Sequence, residues 1–201
     1  MSSAEQRAQI AQSLKQEAAL LLHRSGLFRL LEERFGKLRI AGSAGYDLMV
    51  RRDIDIHVPV ELSAWAEWAY LLAEIARQLQ DAGLDLCRAT YHNSSIDPHP
   101  MGAGLCWRLV FHDAEENPWS CTLWGWDPFD YAIREARDES LSLDLARADR
   151  DLILRLKTEA QARQHESGQA PGSFDIYQFC IAGAGDSLDE LSAWKAAQSA
   201  T

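Results

Sequence analysis

The sequence predicts an α/β (α+β) fold: a mixed sheet of about five strands flanked by helices, with a helical extension at the C-terminal end. Three observations predict it. Five short apolar or alternating runs read as strands, helical three- and four-residue spacing precedes and follows them, and glycine or proline stands at most junctions. At 201 residues and 47% hydrophobic, the chain can bury a substantial core without disulfide or metal staples. Residues 1–127 are expected to form the core with its N-terminal helices. Residues 128–201 are expected to form a helical region packed on it, because the boundary at Pro128 is a composition shift rather than a flexible linker.

Taken in order, Ala4 to His23 reads as an amphipathic helix with Ile10, Leu14, Ala18, Leu21 and Leu22 on its apolar stripe. Leu27 to Phe35 is a second helix, closed by Gly36. Lys37 to Ala41 is apolar enough for a short strand ending at Gly42. Ser43 to Val50 fits a helix starting directly after that strand. Asp53, Asp55 and His57 alternate with Ile54, Ile56 and Val58, a period of two that sends the polar set to one face of a strand and the apolar set to the core. Pro59 ends this strand. Glu61 to Ala82, with Trp65 and Trp68, is a long helix that stops at Gly83 and covers one face of the sheet.

Leu84 to His92 reads as a strand and Asn93 to Met101 as a loop. Gly104 to His112 and Pro118 to Trp126 form a hairpin around the acidic turn His112 to Asn117. Beyond Pro128, helices are expected over Phe129 to Arg137 and Leu141 to Arg163, broken by His165 to Gly172. Ser173 is placed as the N-cap of a helix through Ile181, and Asp186 or Ser187 as the cap of a last helix through Trp194.

The chemistry concentrates at Gly42-Ser43 and Asp53-Ile54-Asp55. Free amides at a helix start after Gly42 would face an incoming phosphate. Carboxylates two apart on a strand lie roughly 6.5–7 Å from each other and repel by about 2–3 kcal/mol at an effective dielectric near 20. A divalent cation removes that conflict. Magnesium suits it best, since it takes oxygen ligands, is commonly held by one or two carboxylates, and completes its shell with phosphates and water.

Gly-Ser, a short helix and Asp-x-Asp on the next strand resemble the nucleotidyltransferase superfamily, the DNA polymerase beta-like fold that includes antibiotic and minimal nucleotidyltransferases. The resemblance covers about residues 37 to 58 strongly and 84 to 127 weakly. It implies that Gly42 and Ser43 hold the phosphates of a nucleoside triphosphate and that Asp53 and Asp55 are catalytic and hold Mg2+. It also implies a third carboxylate near the middle of the strand Trp119 to Trp124, where Thr122 stands instead. A threonine hydroxyl is neutral and far too weak a base to draw the proton from an attacking hydroxyl. Asp113, in the hairpin turn, and Asp127, five residues past Thr122, are poor replacements. Lys157 and Tyr177 would reach back toward the phosphates, although exposure is the usual fate of a lysine.

Several side chains carry two readings. Trp124 shares the face of Thr122 and either stacks on a base or packs in the core. Arg108 either neutralises a phosphate or forms a surface ion pair. His57 is a ligand or a solvated histidine at the strand end. His92 and His99 flank the loop at no metal-binding spacing. Cys87, Cys106, Cys121 and Cys180 lack a C-x-x-C pair and read as buried thiols.

The net charge of −10 argues against broad nucleic-acid binding, which relies on clustered Lys and Arg. No apolar run reaches the ~18 residues of a membrane span, and Met1 to Gln16 is too polar for a signal peptide, so a cytoplasmic protein without membrane contact is expected. The expected activity is magnesium-dependent transfer of a nucleoside monophosphate from a nucleoside triphosphate to a hydroxyl on a small molecule or protein. The alternative is a degenerate module of the same fold that binds nucleotide or a protein partner without turnover.

Overall fold

Five strands, β1 (Arg39–Ala41), β2 (Asp53–Pro59), β3 (Asp85–Asn93), β4 (Leu105–His112) and β5 (Pro118–Trp126), pair in the order β1-β2-β5-β4-β3. The computed structural model describes residues 2–168 and 170–199. β2 and β5 run parallel at the centre, and the other neighbours are antiparallel. A parallel pair needs a long crossover. The intervening helix and the hairpin of β3 and β4 supply it.

Alternation sorts the sheet into two unlike faces. Ile54, Ile56 and Val58 of β2, Trp107, Leu109 and Phe111 of β4, and Trp119, Cys121 and Leu123 of β5 are buried on one face. Helices α1 (Ser3–Arg24), α2 (Leu27–Phe35) and α4 (Trp65–Asp81) cover them, with Trp68, Leu71, Ile75 and Leu79 as the inward stripe of α4. The indole N–H of Trp107 donates to the carbonyl of Trp68 at 3.0 Å, which satisfies a polar group inside this core. The expected long helix is preceded by a separate 3-10 turn, Leu62–Ala64, and Trp65 is 53% exposed where Trp68 is buried.

Capping explains most helix ends. Ser2 and Glu5 exchange side-chain and backbone hydrogen bonds at the start of α1. Gly36 closes α2 in the left-handed conformation. The buried stripe of α1 is Ala11, Leu14, Ala18, Leu21 and Leu22; Leu14, Ala18, Leu21 and Leu22 are buried as expected, while Ile10 is 48% exposed and Ala11 takes its place.

Helices α5 (Pro128–Leu145), α6 (Arg150–Ser167), α7 (Ser173–Ile181) and α8 (Leu188–Ser199) share a second core that includes Leu145, Ile153, Leu156, Tyr177 and Phe179. Ala11 of α1 and Leu48, from the turn after β1, also belong to it. Arg7 of α1 grips Asp151 of α6 with two hydrogen bonds of 2.7 and 2.8 Å.

Four expectations need correction here. After Gly42 only a single helical turn forms, α3 (Gly42–Gly45), and the path onward passes through Asp47 at φ 59 instead of a helix to Val50. The break between α5 and α6 lies at 146–149 rather than 138–140, because the Asp149 carboxylate accepts the Leu152 N–H and starts α6 there. Gly172, not Ser173, is the N-cap of α7, with its N–H donated to the Asp175 carboxylate. Cys87 is exposed, while Cys106, Cys121 and Cys180 are buried as expected.

The Ser187 hydroxyl accepts the Glu190 N–H before α8, as the capping pattern predicts, but that helix runs past Trp194 to Ser199. Among the described residues no helix is long and apolar enough to cross a membrane.

Gly125 marks where α4 lies closest to the sheet: a Cβ there would meet Val60 Cγ1 and, at 2.9 Å, Trp68 Cζ3. Gly125→Ala should therefore destabilise the fold by about 1–3 kcal/mol through overpacking. Urea unfolding checks this, and an unchanged midpoint would contradict the packing described.

Candidate functional site

The polar face of β2 opens onto a cleft of about 970 Å³ whose lining includes Gly42, Ser43, Asp53, Asp55, Lys157 and Tyr177. Two elements bring the turn and the acids together. β1 pairs antiparallel with β2 so that Ala41 sits opposite Asp55. The chain then turns through Gly42 at φ 60, where an added Cβ would collide with Asp55 Oδ2. Glycine is required on both counts: the left-handed backbone and the contact with a carboxylate.

The two acids differ in environment. Asp53 Oδ2 takes two donors from Arg51, at 2.6 Å from Nη2 and 3.2 Å from Nε, and that arginine side chain is 63% exposed. Asp55 has no hydrogen-bond donor among the described residues. Burial, and after it the charge of Asp53, pushes the Asp55 carboxyl up to about 7, against the pull of Arg51, Lys157 and Arg108.

Lys157 of α6 is buried rather than exposed. Its ammonium donates to the Leu48 carbonyl at 2.5 Å and to the Tyr177 hydroxyl at 2.9 Å. Burial, reinforced by Arg51, lowers it to about 7 while Asp53 and Asp55 oppose the shift. Burial also pushes the Tyr177 phenol up. One wall of the cleft thus holds an under-neutralised acid and another a buried amine.

Parallel pairing sets Thr122 of β5 beside Asp55 and Ser120 beside Asp53. No carboxylate occupies the third position. Asp113 ties the β4–β5 turn, accepting from the Glu115 and Asn117 amides and the Trp119 indole. Asp127 caps α5 by accepting the Phe129 N–H at 3.0 Å. Both acids are committed to local structure.

Asp53 and Asp55 suit a divalent cation on their chemistry: one buried carboxylate lacks a donor, and its neighbour holds only an exposed arginine. Two acids suffice for a magnesium ion that keeps phosphates and water in its shell. Among the described residues there is no set of three or more His, Cys, Asp or Glu for a fully protein-ligated site.

His57 is buried, not solvated. It lies edge-on to Trp126 with centroids 5.8 Å apart, and burial lowers it to about 4, so it is neutral at pH 7. Trp124 both lines the cleft and packs, stacked on Trp126 at 4.4 Å. His99 lies against Trp124, while His92 faces Asp97 at 3.6 Å.

Three features of the cleft escape the sequence reading. The Arg134 guanidinium sits 3.6 Å over Trp126, Arg137 joins the lining from the same helix, and the Tyr46 hydroxyl donates to Asp138 at 2.8 Å. All are long-range contacts of α5, and spacing along the chain carries no signal for them.

Among solved structures, the chain is similar to Cid1 poly(U) polymerase with MgGTP bound, at TM-score 0.54, and to a mutant of that enzyme bound to MgATP, at 0.51. Both are 14% identical over 87% of this chain and 53% of theirs, so the chain spans about half the length of the structures it matches. Likeness at that identity is one of fold: the protein has a nucleotidyltransferase-like fold. No family model and no curated protein matches it.

The strained ionisation of Asp55 has a measurable sign. Its folded pKa, about 7, lies above the ordinary 3.8, so its favourable contribution is present below pH 4 and lost as pH rises through 7. Asp55→Asn should therefore raise Tm at pH 8 but not at pH 3.5, each kcal/mol recovered appearing as about 2–4 °C in a chain of this size. Calorimetric scans at both pH values check this; an equal shift at both would contradict it.

Proposed function

We propose that the protein is a magnesium-dependent nucleotidyltransferase that moves a nucleoside monophosphate from a nucleoside triphosphate to a hydroxyl on a small molecule or protein. The observation that carries this reading is the approach of the Gly42 backbone to the Asp55 carboxylate in the lining of a cleft large enough for a nucleotide. Gly42 and Ser43 orient the phosphates, and Asp53 and Asp55 hold the ion. A magnesium ion held by these two acids would supply positive charge to offset the charge growing on the phosphate oxygens. Arg51, exposed and paired with Asp53, stands beside the same acids, where its guanidinium would meet a phosphate oxygen. Lys157, held by Leu48 and Tyr177, sets a second cation at the inner wall.

The acceptor oxygen bonds to the α-phosphorus as the bond to the departing pyrophosphate breaks, and the hydroxyl proton must leave. Thr122 cannot take it. That observation favours the second reading, a module that binds magnesium-nucleotide without turnover. The solved neighbours are poly(U) polymerases, yet a net charge of −10 supports a compact acceptor over a nucleic-acid strand here. Four free thiols fit the reducing cytoplasm.

Calorimetric titration with ATP, GTP, CTP and UTP in magnesium should show binding of at least one, weakened about tenfold or more by Asp53→Asn and by Asp55→Asn. Unchanged affinity in both variants would sink the site. Incubating α-phosphate-labelled triphosphates with cell lysate separates the two readings: label transfer supports the enzyme, and binding without transfer supports the module. If only the base is missing, Thr122→Asp should raise transfer by about 100- to 10,000-fold. A parent at full rate, slowed by that change, would show that Thr122 does not stand in for a base.

A further inference from the structure

Beyond Thr122, the sheet face that carries the two acids also carries two exposed arginines. Register places Asp55, Thr122, Arg108 and Thr90 in one row across β2, β5, β4 and β3, and Asp53, Ser120, Val110 and Arg88 in the next. Residues paired across a sheet share a face, so all eight belong to the face that carries the two acids. Arg108 and Arg88 are diagonal neighbours on adjacent strands, and both are exposed, as is Thr90. A register shift between Leu86 and Arg88 bends β3 at this point.

Like charges side by side on a sheet are destabilising. With 30 acidic residues to 20 basic ones, an exposed arginine in this chain has no shortage of partners. The exposed Arg29, Arg34, Arg51 and Arg147 each have one, whereas the exposed Arg24, Arg77 and Arg137 have none among the described residues. Among the described residues neither the Arg88 nor the Arg108 side chain has an ion pair, a hydrogen bond or a ring contact, and Arg108 acts on Asp55 only through its charge.

We propose that Arg88 and Arg108 form a phosphate subsite for the acceptor, which is a small phosphorylated hydroxyl compound of sugar-phosphate size; the word acceptor rests on the nucleotidyltransferase reading above. Two guanidinium forks match one phosphate dianion, and the Thr90 hydroxyl adds a donor beside them. Position agrees with chemistry. Gly42 and Ser43 flank Asp55 on the β1 side, whereas Arg108 lies beyond Thr122 on the β4 side. In-line transfer needs the attacking and leaving oxygens on opposite sides of the phosphorus. Two strand spacings, roughly 10 Å, separate Arg108 from Asp55. The long Arg108 side chain can reach into that span, which is of the order of a hexose phosphate. A phosphate over Arg108 also restores, from the substrate, negative charge beside Thr122.

NMR titration of the full chain, reading arginine Nε–Hε resonances, tests the subsite with glucose 6-phosphate and with glucose. Glucose 6-phosphate should shift two arginine signals at tenfold or more lower concentration than glucose, and Arg88→Gln and Arg108→Gln should each remove one of them. Equal responses to the two sugars, or phosphate shifts that survive in the double variant, overturn the proposal. Tighter binding of a 5′-phosphorylated oligonucleotide than of glucose 6-phosphate also overturns it, in favour of a nucleic-acid acceptor. Magnesium-ATP is titrated into the same parent sample: loss of nucleotide binding counts against the nucleotidyltransferase reading, while the sugar titrations still decide the anion subsite.

Discussion

Everything about this cleft follows from a strand that must serve two solvents. β2 presents Ile54, Ile56 and Val58 to the core and Asp53, Asp55 and His57 to the cleft, and it pairs on both edges. Backbone pairing fixes the carboxylates in place, and the core behind them prevents the strand from rotating them toward water. Asp55 therefore cannot relax its desolvation by moving. A slip by one residue would exchange the faces, which is why the register is firm. The position of the acids is held by apolar packing on their far side.

The cost of that arrangement is partly met by Arg51, close by in sequence, and by Lys157 and Arg108 from distant parts of the chain. The molecule is acidic overall, yet Arg51, Lys157, Arg134 and Arg137 all line the same cleft. Lys157 comes from α6, whose place is set by the second core and by the Arg7–Asp151 clamp to α1. Burial draws Asp55 and Lys157 to nearly the same proton affinity from opposite directions. Groups so matched respond strongly to an added charge, and a polyanionic ligand carrying its own cation is such a charge.

How much of this was legible in the chain depends on the range of the interaction. Period-two alternation fixes a strand's faces locally, so all five strands and the polar set Asp53, Asp55 and His57 can be read directly. Helix ends set by side chains close in sequence, Ser2 with Glu5 and Ser187 with Glu190, carry a similarly local signal. The turn after Gly42 does not: its course past Asp47 is decided by Arg150, which donates to the Asp47 carbonyl from 103 residues away. Lys157 looks like any surface lysine until α7 closes over it with Tyr177. His57 looks solvated until Trp126, three strands on in sequence but on the neighbouring strand in the sheet, packs against its ring.

Thr122 is the sharpest case, since a local pattern located it and only pairing gives it meaning. Its register opposite Asp55 places it where a further acid would stand directly beside that carboxylate. Carboxylates on adjacent strands would face each other at about 5 Å. With Asp55 already under-neutralised, a third acid there would be tolerable only with more positive charge than the described residues supply around it. Threonine relieves that repulsion, and one strand further on the sheet carries Arg108 rather than a charge that would oppose it. The polar face thus runs from acid through neutral hydroxyls to base across four strands, a charge gradient laid down by register alone.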